Sequence, residues 1–155
     1  MDNAIADLTT AIKLNPTLEK AYIHRGNTYK QAQYIEKSIE DYSNAIKLNP
    51  YLELVFIDRG IAYKEIEFIE NALADFNSAI ALNEKNANSY LHRGGVYLQM
   101  KEYNKAVSDF SSAIKLNDKL SVAYQCRGMA YANLKRHHEA ICDYTTAIKQ
   151  NPKDP

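Results

Sequence analysis

The chain predicts an all-α solenoid of antiparallel helix pairs, and three observations carry that prediction. Gly26, Gly60, Gly94 and Gly128 recur every 34 residues. Each closes the same frame: Tyr22-Ile23-His24-Arg25-Gly26, Phe56-Ile57-Asp58-Arg59-Gly60, Tyr90-Leu91-His92-Arg93-Gly94 and Tyr124-Gln125-Cys126-Arg127-Gly128. Within each unit, apolar and small residues return at the three- and four-residue steps of a helix. A fixed period of this length means one supersecondary unit copied along the chain, in which neighbours bury faces that no unit could bury alone.

The elements follow in order. Residues 1–18 match only the second half of a unit, with Ala4, Leu8, Ala11 and Pro16 in the right columns. Full units are expected at about 19–52, 53–86, 87–120 and 121–154, as one continuous domain. The first helix of each carries an aromatic, a glycine four residues later and a tyrosine three after that: Tyr22/Gly26/Tyr29, Phe56/Gly60/Tyr63, Tyr90/Gly94/Tyr97 and Tyr124/Gly128/Tyr131. A short turn without glycine follows, near Gln33, Glu67, Lys101 and Lys135. The second helix then shows Ser38/Tyr42/Ala45, Ala72/Phe76/Ala79, Ala106/Phe110/Ala113 and Ala140/Tyr144/Ala147. Small residues facing aromatic ones let two helices approach closely. Glycine inside a helix costs about 0.5–1 kcal/mol relative to alanine, so the four repeated glycines need that close approach as their reason. Asn49, Asn83, Asn117 and Asn151 end the second helices; asparagine tolerates the left-handed conformation of a C-terminal cap, and proline beyond it forbids continuation.

This pattern resembles the tetratricopeptide repeat (TPR) over the whole chain. Ser38 stands in place of the usual Ala, and Glu84 and Asp118 in place of Pro. The resemblance implies a right-handed superhelix whose first helices line a concave, peptide-binding groove. The chain opens in mid-repeat and closes directly after a second helix, so a segment of a longer array, or ends covered by self-association, is expected.

Two charge columns accompany the repeat. Arg25, Arg59, Arg93 and Arg127 precede the glycines, and Asp7, Asp41, Asp75, Asp109 and Asp143 share a column of the second helix. Pairing between repeats would join Asp7 to Arg25 through Asp109 to Arg127; pairing within a repeat would leave Asp7 over. The first is favoured on the reading that the arginine lies on a flank turned away from the Tyr/Gly stripe. Either way the role is structural, since arginine's planar fork suits register-setting pairs.

Composition narrows the function. The 155 residues carry 19 basic and 19 acidic side chains, which argues against nucleic acid or an anionic membrane as the main partner. No apolar run reaches the roughly 18 residues a transmembrane helix needs, and the first residues carry no signal-peptide core. Two cysteines, Cys126 and Cys142, make no disulfide framework, and reduced thiols in the cytoplasm are expected.

Enzyme motifs are missing: no phosphate-binding loop, no His-Glu-x-x-His, no Cys-x-x-Cys. His137-His138-Glu139 reads as a solvated inter-helix turn, since adjacent helical residues point apart. His24, Asp58, His92 and Cys126 form a column of metal-ligand types, but equivalent residues on neighbouring helices stand about 8–10 Å apart. The column is expected to line a groove, with no metal, cofactor or catalytic residue.

The groove itself is expected on the side of the first helices opposite the Tyr/Gly stripe: Lys20, Ile23, His24 and Asn27, then Leu54, Ile57, Asp58 and Ile61, then Asn88, Leu91, His92 and Leu98, then Gln125 and Met129. Its apolar members, with Val122, have no place in the inward stripe, and exposed apolar residues grouped on one face suggest a partner. The family's chaperone adaptors grip a C-terminal carboxylate with a Lys/Asn/Asn/Lys/Arg clamp. Those columns hold Ile23, Asn27, Asp58, Asn88 and His92 here, and Asp58 would repel a carboxylate. A protein-interaction scaffold for a peptide or amphipathic helix is therefore expected, not a chaperone-tail binder; end-to-end self-assembly into a homo-oligomer is the alternative.

Overall fold

A computed structural model describes residues 2–151. Among the described residues nine α-helices follow one another with no strand. They fall into two compact units, Met1–Leu82 and Asn83–Pro155. The first holds α1 (Asp2–Leu14), α2 (Glu19–Gln31), α3 (Ile35–Leu48), α4 (Glu53–Glu65) and α5 (Ile69–Leu82). The second holds α6 (Ala87–Gln99), α7 (Tyr103–Leu116), α8 (Ser121–Asn133) and α9 (His137–Gln150). Within each unit every helix packs on its sequence neighbour, and the paired helices α2/α3, α4/α5, α6/α7 and α8/α9 pack most extensively. The all-α, helix-pair architecture is the one the period predicts.

The glycines mark the tightest point of each pair. A Cβ built on Gly60 would lie 2.8 Å from Phe76 Cε1, and one on Gly94 2.8 Å from Phe110 Cε1. Gly26 and Gly128 meet Tyr42 and Tyr144 in the same way, at 2.8 and 2.9 Å. No glycine has a positive φ, so these residues supply space for a ring, not backbone freedom. In the first unit Tyr42, Ala45 and Val55 form one core cluster, with Tyr22, Ile23, Ile46 and Leu52 packed on it. In the second unit Ala106, Phe110 and Ala130 form another, with Leu91, Tyr97, Leu98, Val107 and Cys126 packed on it.

Backbone strain sits in the turns. Gln33, Glu67, Lys101 and Lys135 all have φ of 60–62°, the left-handed region that favours glycine. Each closes a Schellman motif: in the first, Gln33 N–H donates to Lys30 O at 3.0 Å and Tyr34 N–H to Tyr29 O at 2.9 Å. The motif's side-chain contact follows, as Tyr34 meets Tyr29 edge-on at 6.2 Å and Phe68 stacks on Tyr63 at 6.3 Å. The asparagines that end the second helices do something different from the left-handed cap expected of them. Asn49 and Asn117 are extended, with φ of −142° and −147°. Their side-chain oxygens accept from the backbone N–H two residues on, Tyr51 and Lys119, at 3.1 Å. An Asx turn satisfies the chain where it leaves the helix, so the left-handed residue is needed at the other turn. His137-His138-Glu139 likewise opens α9 instead of forming the turn, which centres on Lys135.

The ion pairs form within repeats, not between them. Arg25 holds Asp41 through Nε and Nη2 at 2.8 and 2.7 Å, and Arg59 holds Asp75 at the same distances. Arg93–Asp109 and Arg127–Asp143 repeat the fork at 2.7–2.8 Å. Asp7, expected to hold Arg25, is exposed. The arginine does not turn away from the aromatic stripe: its guanidinium lies between residues three before and four after it, as Arg59 does at 5.7 Å from both Phe56 and Tyr63. The same close approach that seats Gly26 on Tyr42 brings Asp41 Cβ to within 3.3 Å of the built Cβ, which puts the carboxylate in reach of the neighbouring fork. The link to the preceding repeat exists, but it goes to a hydroxyl. Arg25 Nη1 donates to Thr9 Oγ1 at 3.0 Å, Arg59 to Ser43 Oγ at 2.9 Å and Arg127 to Ser111 Oγ at 3.0 Å. Each of these arginines therefore ties three helices. Their ionised form is held by the aspartate; for Arg59 burial opposes this most strongly, and its pKa still ends above the ordinary arginine value.

Candidate binding faces

Each first helix packs on a second helix on both sides within its unit where both neighbours are present, so two flanks are buried and a narrow strip is left. On α4 the buried flanks include Val55, Ile57 and Ala62. Ile57 is only 7% exposed. It is a core residue, which corrects its expected place in the groove.

In the first unit the strip is polar. Lys20 and His24 are exposed, and Asn27, Asp58 and Ile61 are half-buried. Lys30 Nζ reaches from α2 to Asp58 Oδ1 on α4 at 2.6 Å. Tyr42 OH donates to Asn27 Oδ1 at 2.7 Å. Burial, reinforced by the charges of Asp58 and Asp41, pushes the Tyr42 phenol well above the ordinary tyrosine pKa. Ile23 is half-buried against Tyr42, Ala45 and Val55, and Leu54 stands out at 65% exposed.

In the second unit the strip is neutral. Asn88 and Gln125 are exposed, and His92 is half-buried. Leu91 and Leu98 are half-buried against the Ala106/Phe110/Ala130 core; they form a floor, not the free apolar surface expected of them. Met129 on α8 is 44% exposed and Val122 47%. Gly95 differs from the other glycines: an added Cβ would meet nothing within 4 Å.

Among the described residues no group of three or more His, Cys, Asp or Glu side chains could hold a metal ion, and no helix is long and apolar enough to cross a membrane. The ladder hydroxyls Thr9, Ser43 and Ser111 and the left-handed turn residues were not singled out from sequence. The hydroxyls do sit in one column, two residues after Asp7, Asp41 and Asp109, with Asn77 in the same column after Asp75.

The model of the tetratricopeptide repeat matches residues 19–51, 87–120 and 122–154, well over half of the chain. The chain belongs to the tetratricopeptide repeat family. Solved structures agree on the fold. The crystal structure of MamA superposes with a TM-score of 0.93 at 26% identity, covering 98% of this chain and 89% of that one. The TPR domain of Arabidopsis OM64 is 28% identical, with a TM-score of 0.64 over 66% of this chain and 84% of its own. YrrB, described as a TPR protein with an unusual peptide-binding site, gives a TM-score of 0.80 at 23% identity, covering 94% and 75%. No curated protein matches. TPR chains serve as protein-interaction scaffolds, and no catalytic family is indicated.

Proposed function

We propose that the exposed strips of the first helices bind a partner polypeptide, as an extended segment or as one face of an amphipathic helix. One observation carries this: Leu54, Val122 and Met129 are large, apolar and 44–65% exposed on first helices. None of the three is buried, so burial in the core does not explain them. A fold alone never specifies a ligand, and it is these side chains that support the reading. Selection of peptides from a displayed library on the folded chain tests it. Peptides should be retained by the parent and lost by a Leu54→Glu, Met129→Glu double variant whose melting is unchanged. Equal retention by both proteins would place binding elsewhere.

A second reading, self-association, rests on α9. Ile141 and Ile148 are 64% and 62% exposed there, whereas the equivalent Ile39, Ile46, Val107 and Ile114 are half-buried under a following helix. Light scattering over a concentration series should then show assembly that Ile148→Lys abolishes; a constant monomer mass would end this reading.

A further inference from the structure

We infer that the α6/α8 strip of the second unit is built for an uncharged, apolar segment of a partner polypeptide, bound extended with one large side chain seated at Gly95. The inference rests on the reading above and gives it a chemistry. Its first support is charge. A quarter of the chain's residues are charged, yet α6 holds only Arg93 and α8 only Arg127 among Asp, Glu, Lys and Arg. Both arginines are engaged by forks, to Asp109 and Asp143, so neither is offered to a ligand. A charged segment laid on this strip would lose hydration and find no counter-charge, which is costly; a neutral one meets no such penalty.

The second support is shape. Asn88, Leu91, Gly95 and Leu98 recur at helical spacing along α6, and α6 touches α8 directly. The equivalent of Gly95 is Asn27 on α2, Ile61 on α4 and Met129 on α8. Only at Gly95 is the side chain missing, and the space above its Cα is open. The surface at Gly95 is therefore open, with the half-buried Leu91 one turn before it, Leu98 one turn after it, and the exposed Met129 on α8, which α6 touches. Methionine is flexible and polarizable and adapts to varied apolar groups. The third support is the rim. Asn88 and Gln125 are exposed, and side-chain amides carry both a donor and an acceptor, matching the N–H and C=O of an extended main chain without adding charge.

A phage-displayed library of random dodecapeptides, panned on the full chain, tests this. Retained peptides should be depleted in Asp, Glu, Lys and Arg and rich in aromatic or large aliphatic residues. A fluorescein-labelled copy of the best peptide should bind about tenfold or more weakly to Gly95→Arg and to Met129→Glu. Gly95→Arg keeps a good helix former at a position with open space, and circular dichroism will verify that each variant is folded. Lys105→Ala, on α7 away from the strip, should bind as the parent does. Charged peptides whose binding is lost in Leu54→Glu but kept in Gly95→Arg would overturn the inference while sustaining peptide binding by the first helices. Neutral peptides indifferent to Gly95→Arg would also overturn it. No retained peptide at all would overturn both.

Discussion

In the first unit, α2 and α4 carry Glu19, Lys20, Arg25, Lys30, Glu53, Asp58, Arg59, Lys64 and Glu65. In the second, α6 and α8 carry only Arg93 and Arg127. The frames beneath these strips are nearly identical: the same glycine against the same ring, the same Arg–Asp fork, the same left-handed turn. The strip of one unit lacks the charges that the other carries, while the glycine, the ring, the Arg–Asp fork and the left-handed turn are repeated. Such a division separates what a repeat needs to fold from what it presents to a partner.

If the frame is common to both units, disrupting it should cost the same in each. Arg59→Ala and Arg127→Ala would each leave a buried aspartate unpaired, since the Asp75 and Asp143 side chains are only 5% and 8% exposed. Each should lose about 3 kcal/mol in urea unfolding, and markedly different losses would break the equivalence. Next comes a neighbouring pair of glycines. Gly94→Ala drives a methyl into the Phe110 ring, which has no exposure, and should destabilise by about 1–3 kcal/mol through overpacking. Gly95→Ala meets open space and should stabilise by about 0.5–1 kcal/mol, the ordinary helix preference of alanine. The same sign at both positions would refute the space argument.

The smallest effect concerns Tyr42, whose column also holds phenylalanine, at Phe76 and Phe110. Its phenol pKa is raised by burial above the ordinary value of 10.0, so the folded state holds this proton more tightly than the unfolded chain. The stability so contributed is complete below about pH 10 and is lost as pH rises beyond it. Tyr42→Phe should shallow the alkaline fall in stability seen by fluorescence. An unchanged slope would show that Tyr42 is not the group responsible.

Sequence carried the architecture because packing imposes the period: a glycine can recur every 34 residues only if a ring meets it each time. It misled where two geometries share a spacing. Arg25 is three residues from Tyr22 and four from Tyr29, so it lies between their rings, and that places it beside its own repeat's aspartate. Ile57 and Ile61 look alike as residues outside the stripe, yet one is core and the other half-exposed. A helix packed on two neighbours has two buried flanks, and the Tyr/Gly stripe marks only one. The turns hid their strain for the same reason: Gln33, Glu67, Lys101 and Lys135 have no side chain in common that announces a positive φ.

The central claim is that the exposed strips bind and the frame beneath them only supports. Met129→Glu tests it most directly, measured for urea stability and peptide affinity on the same preparation. Met129 is 44% exposed, so stability should stay within about 0.5 kcal/mol of the parent while affinity for a selected peptide falls about tenfold or more. Unchanged affinity, or a loss of affinity that merely follows a loss of folding, would contradict the account.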